Sequence, residues 1–592
     1  MRRRDLLKAA LAAPFLPFAL SPLASAMTGS RHGAIRHPVR PGQSGWPSAA
    51  QWDALKRRVG GRLIQPESPF APAAPAAARA KALEQLQNPF FLGDQPALTQ
   101  TSGWAGAWQS QPSAYAVVAE SAADVAAAVD FAREHHLRLV VKGGGHSYQG
   151  TSSAPDSILV WTRQMNHTEL HDAFVPHGCV DSAEPAVSLG AGCMWIDAYD
   201  AVTTRGGRYV QGGGCTTVGV AGLVQSGGFG SFSKRWGTAA SHLLEAEVVT
   251  ADGQIRLVNA CTDPDLFWAI KGGGGGSFGV LTRITLRTHD LPETFGAVTA
   301  RIAAADGAAF RALIAEAMRF YRRALFNPHW GEQMSLRSGH ILGVSMVFQG
   351  LTQAQAEAVW APFVDWIKTR PEYTLVEPLQ VTAMPARHFW DADFFRAHAP
   401  GVMAEDNRPN APRHHMVWAG DRGQVGWFLH AYQSAWLPAD LLEDAALARL
   451  TEALYQAAQA WDLELHFNKG LAGAPGEAID RAADTATHPD VLGAFALALV
   501  GAFGAPAFSG MPADASNDQA RIRRGVDGVA RCMAALRMVA PRAGSYLSES
   551  DYFLDGWKSG FWGVHYPRLA AAKRRYDPKG LFTVHHGVGS ES

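Results

Sequence analysis

Short apolar runs and one helix-period segment predict a β-α-β unit near the start of the globular chain. Residues 113–119 and 137–141 have the length and composition of strands, and an apolar face with helical spacing lies between them. Ser121, followed three residues later by Asp124, is typical of a helix start. The second predicted strand leads directly into three glycines at residues 143–145. Ligands gather at such strand ends, so we expect a binding site there.

The rest of the chain continues both patterns. Asp252 and Gly253 indicate a hairpin turn. Strands interleaved with helices in the second half predict an antiparallel sheet backed by helices, an α+β lobe. The predicted strands are residues 157–161, 186–189, 244–249, 280–286, 341–348, 373–376, 425–433 and 463–468. The predicted helices are residues 310–325, 441–460 and a segment capped by Thr352 that runs to residue 368.

Two glycine-rich segments each present one nucleophile. Residues 141–150 are VKGGGHSYQG and residues 211–219 are QGGGCTTVG, so His146 and Cys215 each follow three glycines. Glycine lets the backbone approach a ligand closely, and its free N–H groups can bind an anion. A third run, KGGGGGSFGV at residues 271–280, precedes a predicted strand. Three such loops predict a site for a phosphate-bearing cofactor.

The paired segments resemble the double attachment point of berberine-bridge-enzyme-like flavoproteins, in the vanillyl-alcohol-oxidase/p-cresol-methylhydroxylase (VAO/PCMH) superfamily. The resemblance covers about residues 90–290. It implies FAD bound covalently through His146, at the flavin 8α-methyl carbon, and through Cys215, at C6. The attaching thiolate must form near neutral pH, and we expect the N–H groups of residues 212–214 to favour it.

The C-terminal residues are also similar to this family. Residues 544–553 resemble a tyrosine-bearing strand, and residues 561–582 resemble the helix and ending that follow it. Ser548 and His565 stand where members usually carry Asn, and residues 584–589 differ from the commoner ending. These departures concern the substrate side of the site rather than the cofactor.

The expected fold class is α+β, in several parts. A two-part PCMH-type FAD-binding domain is expected at residues 88–290 and a substrate lobe at residues 291–540. Residues 541–592 are expected to return to the FAD domain. Residues 27–87, rich in Pro, Ala and Gly, predict a linker or surface arm.

The resemblance assigns roles to individual residues. Tyr546 is the first candidate for the base that takes a substrate hydroxyl proton, with ordinary core packing as its alternative, and Tyr148 is the second. Val218 resembles the position that controls oxygen access, where a small aliphatic residue admits oxygen. The residues expected to bind the cofactor are His146, Cys215, Gly143, Gly144, Gly145, Ser147, Gly150, Gly213, Gly214, Val218, Gly219, Gly222, Gly227, Gly228, Gly230, Val248, Gly279 and His565.

Other polar residues give weaker signals. Residues 466–470 alternate polar side chains that face either the flavin or, more often in such strands, solvent. The pairs at residues 414–415 and 585–586 are adjacent histidines. Neighbouring residues point to opposite sides of a strand, and a third spaced ligand is missing, so no metal is expected.

Cysteine content and net charge argue against some classes of protein. Five cysteines in 592 residues do not make a disulfide scaffold. Cys179 and Cys193 could close a short loop, although buried free thiols are the default expectation. Lys+Arg and Asp+Glu each total 53, without a basic stripe, which argues against a nucleic-acid partner.

The first 26 residues predict export. Arg3 and Arg4 begin a twin-arginine signal, and residues 24–26 form a small-residue cleavage site. Pro14 and Pro17 interrupt an apolar stretch that is too short for a stable membrane span. A periplasmic or secreted location is therefore expected.

Together these features predict a secreted FAD-dependent oxidoreductase. It would oxidise an alcohol group of a sugar or of a phenolic or benzylic compound by hydride transfer to flavin N5. Oxygen, giving H2O2, is the expected electron acceptor. One alternative is a dehydrogenase that uses a quinone or another periplasmic acceptor, and another is a non-catalytic flavin- or ligand-binding protein.

Overall fold

The computed structural model describes residues 37–180 and 183–590. The signal predicted at residues 1–26 and the beginning of the predicted arm lie outside the described residues. The helices before residue 293 are α1 (Ala49–Arg58), α2 (Ala76–Glu84), α3 (Pro89–Gly93), α4 (Ala122–Glu134), α5 (Trp195–Tyr199), α6 (Val220–Gln225), α7 (Ser233–Trp236) and α8 (Pro264–Ile270). The strands of this part are β1 (Leu63–Ile64), β2 (Gly103–Trp104), β3 (Trp108–Gln109), β4 (Tyr115–Val118), β5 (Arg138–Lys142), β6 (Ser157–Trp161), β7 (Thr168–Phe174), β8 (Glu184–Gly190), β9 (Arg208–Val210), β10 (Leu243–Val249), β11 (Ile255–Asn259) and β12 (Val280–Asp290).

The first part of the described chain contains two sheets. One has the strand order β1-β4-β6-β5, with β6 parallel to both β4 and β5. The other has the order β11-β10-β12-β8-β7 with antiparallel neighbours, and β9 pairs with β12. The predicted helix start is confirmed: the Asp124 backbone N–H donates to the Ser121 hydroxyl, and the Ser121 N–H donates to the Asp124 carboxylate.

The second lobe is built on a long sheet with the order β16-β13-β15-β14-β20-β21-β19-β2-β3. Its strands are β13 (Thr294–Ala304), β14 (Trp330–Arg337), β15 (Ile341–Gln349), β16 (Tyr373–Pro385), β17 (Met403–Glu405), β18 (Met416–Trp418), β19 (Phe428–Pro438), β20 (Leu463–His466) and β21 (Ala494–Gly504), of which β17 and β18 form a separate ribbon. Its helices are α9 (Gly307–Phe320), α10 (Gln353–Lys368), α11 (Ala392–His398), α12 (Asp444–Ala460), α13 (Gly476–Ala483), α14 (Asp490–Gly493) and α15 (Gln519–Arg537).

One face of the long sheet is covered by helices, which confirms the predicted architecture. Helices α9, α10, α12 and α15 pack against the sheet, and their apolar side chains share one buried core with it. The neighbouring strands are antiparallel except for β2, which lies parallel to β19. Strands β2 and β3, from the first part of the chain, thus complete the sheet of the second. Helices α16 (Trp557–Trp562) and α17 (Tyr566–Tyr576) follow, and α17 packs against α8 of the first part.

The segment expected to be an arm contains ordered, buried residues. Trp52 of α1 is buried and stacks on Tyr115 with 3.8 Å between ring centroids. Phe70 is fully buried and stacks on Phe508. The difference has a simple cause: a few large apolar residues anchor the segment, although its composition is dominated by Pro and Ala.

The cysteine pairing differs from both expectations. Cys179 and Cys261 form a disulfide, so these two are not free thiols, and Cys193 is not the partner of Cys179. Cys193 is buried, and its thiol donates to the carbonyl of His167. The loop after β7 lies beside the end of β11, where the Asn259 amide donates to the His177 carbonyl. This proximity joins residues 82 positions apart and leaves no trace in sequence spacing.

Among the described residues, no helix combines the length and apolar composition that a membrane span requires.

Replacing Cys179 and Cys261 by Ser should lower the free energy of unfolding by about 2–4 kcal/mol, because the disulfide closes a long loop in the unfolded chain. Denaturant unfolding followed by fluorescence measures the change. Wild type unfolded in the presence of a reductant is the control and should match the double variant. Identical unfolding midpoints for oxidised wild type and the variant would contradict the expected stabilisation.

Candidate active site

A cavity of about 1000 Å³ lies between the first part of the chain and the uncovered face of the long sheet. The three glycine-rich loops line one side, and strands from β13 to β21 line the other. The sequence-predicted residues among its lining are Gly143, Gly144, Gly145, His146, Ser147, Tyr148, Gly213, Gly214, Cys215, Val218, Gly219, Gly222, Gly279 and Tyr546.

The loops that carry the two nucleophiles touch each other through backbone. A Cβ added at Gly144 would lie 2.8 Å from both the Gly219 nitrogen and the Thr217 oxygen, so only glycine allows this approach. Lys142, which is buried beneath the first loop, donates to the Leu98 carbonyl at 2.6 Å. The backbone contact fixes the relative position of the two loops, and the Lys142 hydrogen bond anchors the first loop to the segment before β2.

Thr217 brings the two nucleophiles together. Its hydroxyl lies 3.1 Å from His146 Nε2, and Thr217 also lies within hydrogen-bonding reach of the Cys215 thiol. Burial lowers the pKa of His146 to about 4, against a smaller opposing effect of a backbone hydrogen bond with Thr217. The imidazole is therefore neutral at pH 7 and keeps a lone pair for bond formation.

Cys215 is not held as a thiolate by its loop, contrary to expectation. Burial raises the pKa of its thiol, and the nearby Asp421 carboxylate raises it further. Hydrogen bonds with Thr217 oppose the shift without cancelling it. The thiol must therefore lose its proton to another group before it can react.

Both candidate tyrosines line the cavity. Tyr546 is buried and lies in a loop rather than in the predicted strand, whereas Tyr148 is half-buried. Tyr546 packs edge-on against Phe229 at 5.1 Å, and Tyr148 packs edge-on against Tyr432 at 5.2 Å. Burial, followed by the charge of Glu549, raises the pKa of both Tyr546 and Tyr148. Both phenols are therefore protonated at neutral pH.

The polar residues at the end of β20 and just after it face the cavity rather than solvent. His466, Asn468 and Lys469 all line it. Lys469 Nζ donates to Glu549 Oε1 at 2.7 Å, which joins the second lobe to the loop that carries Tyr546. The alternating pattern in the sequence indicates a polar face on this strand, but it does not indicate which part of the protein that face contacts.

Sequence reasoning missed two carboxylates beside Cys215. Glu332 accepts a hydrogen bond from the Ser231 hydroxyl, and Asp421 lies within hydrogen-bonding reach of the Cys215 thiol. Burial raises the pKa of Asp421 to about 6, the charge of Glu332 adds to the rise, and the Cys215 hydrogen bond opposes it. Neither residue belongs to a glycine-rich motif, so no local signal marked them.

Val218 occupies the wall of the cavity directly after Thr217. It is half-buried and packs against the apolar core of the first part. Its carbonyl accepts from the Trp195 N–H at 3.0 Å, which fixes the backbone next to the loop contact. The geometry is that of a rigid, small wall residue.

Six predicted cofactor residues do not line the cavity. Gly150 approaches the Trp108 ring, and Val248 packs behind Gly279. His565 Nδ1 lies 3.1 Å from the Thr487 carbonyl rather than at the cavity. The predicted residues outside the cavity lining are Gly150, Gly227, Gly228, Gly230, Val248 and His565.

The prediction that the paired histidines lack a third potential ligand was wrong for residues 414–415. His414 and His415 precede β18 in a loop, and both face Asp197, at 2.9 Å and 3.5 Å from its Oδ1. A third potential ligand is thus present, and these atoms lie within 4.8 Å of one another. Arg163 lies 3.8 Å from the same carboxylate and competes for its charge. His585 lines the cavity, and its Nε2 lies 2.7 Å from the Tyr552 carbonyl.

The cavity fits FAD in its chemistry. Backbone of the three glycine-rich loops leaves room for a large cofactor, and a neutral imidazole and a thiol project from two of them. Among the residues that the structure describes, Gln333 Oε1 and His466 Nδ1 are buried in the opposite wall without a hydrogen-bond partner. Such groups require a polar partner inside the cavity.

Comparison with known proteins agrees with this site. Residues 113–259 match the family model described as an FAD binding domain, and residues 545–589 match the model described as berberine and berberine like. The FAD-linked oxidoreductase malF of Malbranchea aurantiaca is 29% identical, over 97% of this chain and 95% of that protein.

Solved structures share the fold. The VAO-type flavoprotein MtVAO615 from Myceliophthora thermophila C1 has a TM-score of 0.76 and 25% identity, over 94% of this chain and 98% of that one. The glucooligosaccharide oxidase from Acremonium strictum, with a 6-S-cysteinyl, 8α-N1-histidyl FAD, has a TM-score of 0.60 and 18% identity, over 80% and 91%. The two matched family models, the full-length likeness to FAD-linked oxidoreductases and the shared fold together support a berberine-bridge-enzyme-like member of the VAO/PCMH superfamily that is an FAD oxidoreductase.

Proposed function

We propose that the protein is an exported oxidase that carries FAD covalently bound to both His146 and Cys215 and oxidises an alcohol group. The observation that carries the proposal is the convergence of both nucleophiles on Thr217 in one cavity. The name of the Acremonium strictum oxidase, which has the same two linkage types, supports it.

FAD would supply the hydride acceptor. Tyr546 is proposed to take the substrate hydroxyl proton after its phenol has lost its own proton. The neutral state of the phenol before reaction agrees with its raised pKa. Lys469 holds Glu549 in place through their ion pair, and Tyr148 is the second candidate for the proton transfer.

The substrate class is proposed to be a sugar or a phenolic or benzylic alcohol. Polar side chains on β14 and β20, including Gln333 and Glu464, suit a hydroxylated substrate. Trp427, which stacks on Phe503 at 3.8 Å, gives the cavity an aromatic wall that suits either class. Hydrogen peroxide release, measured over a panel of oligosaccharides and aromatic alcohols, decides between them.

Export by the twin-arginine route remains a proposal that rests on residues 1–26. The disulfide between Cys179 and Cys261 supports an oxidising compartment. A protein that folds around its cofactor before crossing a membrane would suit covalent FAD.

The first prediction concerns attachment. Acid precipitation of the wild type should leave the yellow colour in the pellet, because both bonds survive unfolding. His146→Ala or Cys215→Ala should each retain one bond, and only the double variant should release FAD into the supernatant. Cys532→Ala, a buried thiol outside the cavity lining, is the matched control and should behave as wild type. Wild-type colour in the supernatant would refute covalent binding.

The second prediction concerns the base. Tyr546→Phe should slow flavin reduction by about 10²–10⁴-fold with FAD still bound, because the proton-accepting group is lost. Anaerobic stopped-flow absorbance measures the rate once a substrate is identified. Tyr455→Phe, on helix α12, is the control. An unchanged rate in Tyr546→Phe would transfer the role to Tyr148.

The third prediction concerns oxygen. Val218→Leu should slow reoxidation of the reduced flavin, because the longer side chain extends into the cavity where oxygen must react. Mixing reduced enzyme with aerated buffer in a stopped-flow instrument measures this rate. Equal reoxidation rates in wild type and variant would show that Val218 does not control the reaction with oxygen. Slow reoxidation in both, with fast reduction of quinones, would favour the dehydrogenase alternative.

A further inference from the structure

The Cys215 thiol is flanked by two carboxylates that the proposed alcohol oxidation does not use. Asp421, in the turn after β18, lines the same cavity and lies within hydrogen-bonding reach of the thiol. Glu332, on β14, lies over the preceding residue: a Cβ at Gly214 would be 3.4 Å from its Oε1. In the part of the chain that the structure describes, neither carboxylate forms a salt bridge with Lys, Arg or His.

The backbone conformation of Glu332 is energetically unfavourable. Its φ of 63° is in the left-handed region, in the middle of a strand, and such a residue costs about 1–3 kcal/mol. Gly331 allows the approach, because a Cβ there would lie 1.9 Å from the Ser231 carbonyl oxygen. Strain of this kind concentrates at functional sites.

The other carboxylates of the cavity are neutralised. Glu549 is paired with Lys469, and Asp462 and Glu464 are both paired with Arg337. Among the described residues, Asp421 is thus a carboxylate close to Sγ that forms no ion pair with a basic side chain. With a pKa of about 6 it is mostly ionised at pH 7 and can accept a proton.

We propose that Asp421 is the general base that removes the Sγ proton of Cys215 when the bond to FAD forms, and that the negative charge of the nearby Glu332 makes Asp421 a stronger base. The inference rests on the attachment at Cys215 proposed above. It assigns a self-processing activity to the cavity, separate from alcohol oxidation.

Formation of the bond between Cys215 and the flavin is an oxidation, and molecular oxygen is the oxidant. A bond forms between Sγ and a flavin ring carbon, and the S–H and ring C–H bonds break. The Sγ proton passes to Asp421, and the ring hydrogen leaves as a proton. The two electrons released pass through the flavin to molecular oxygen, which takes up two protons and becomes hydrogen peroxide.

Asp421→Asn tests the proposal through the state of Cys215 rather than through turnover. The full-length variant is denatured without reductant and treated with iodoacetamide, and peptide mass analysis follows. FAD should remain on His146, which shows that the variant folds and binds its cofactor. Attachment at Cys215 should be slowed by about 100-fold or more, so that this thiol is alkylated.

Internal and matched controls are available in the chain. Cys193 and Cys532 are free thiols and should be alkylated in every sample. Asp421→Glu should restore attachment, because it keeps a carboxylate. Asp462→Asn makes the same chemical change elsewhere in the cavity and should leave Cys215 attached. Glu332→Gln should slow attachment less than Asp421→Asn does, with rescue by Glu332→Asp.

Two outcomes separate the claims. Complete attachment at Cys215 in Asp421→Asn, at the wild-type rate, would overturn the role of Asp421 and leave the bicovalent linkage intact. An alkylated Cys215 in wild type would instead contradict the linkage itself and, with it, this proposal.

Discussion

The structure depends on one close contact between two stretches of backbone. Gly144 and Gly219 approach each other so closely that neither position has room for a side chain. That contact sets the distance between a histidine from a parallel β-α-β unit and a cysteine from a helix-start loop. A larger residue at either position would separate the loops, and Thr217 could no longer contact both nucleophiles.

The second lobe completes the site electrostatically. The first part supplies the glycine-rich surface and the two nucleophiles, whereas the second lobe supplies charged groups, including Glu332 on β14 and Lys469 just after β20. Burial acts on these groups in opposite directions: it keeps His146 neutral, and it keeps Tyr148, Tyr546 and Cys215 protonated. Proton transfer in the cavity therefore needs a proton acceptor beside each of these protonated groups.

Local signals in the sequence predicted the first part well and the second part less completely. Ser121 with Asp124, and the glycines before His146 and Cys215, act within a few residues, so the sequence alone shows them. The pairing of Cys179 with Cys261 and the contact of Asp421 with Cys215 join distant segments. Such contacts depend on how the two lobes pack, which no periodicity encodes. The histidines at residues 414–415 were misjudged because they lie in a loop, where the alternation rule for strands does not hold.

The parallel pairing of β2 with β19 couples the folding of the two lobes. Gly103 lies opposite Phe428, so the sheet of the second lobe reaches its full width only when a segment from the beginning of the chain adds to its edge. An unpaired edge of this kind invites association with other chains. Each lobe is then an incomplete folding unit without the other, and the chain should lose its structure in one cooperative transition rather than lobe by lobe. Contacts between residues so far apart in sequence also slow folding, because the long intervening chain must be brought together before such contacts can form.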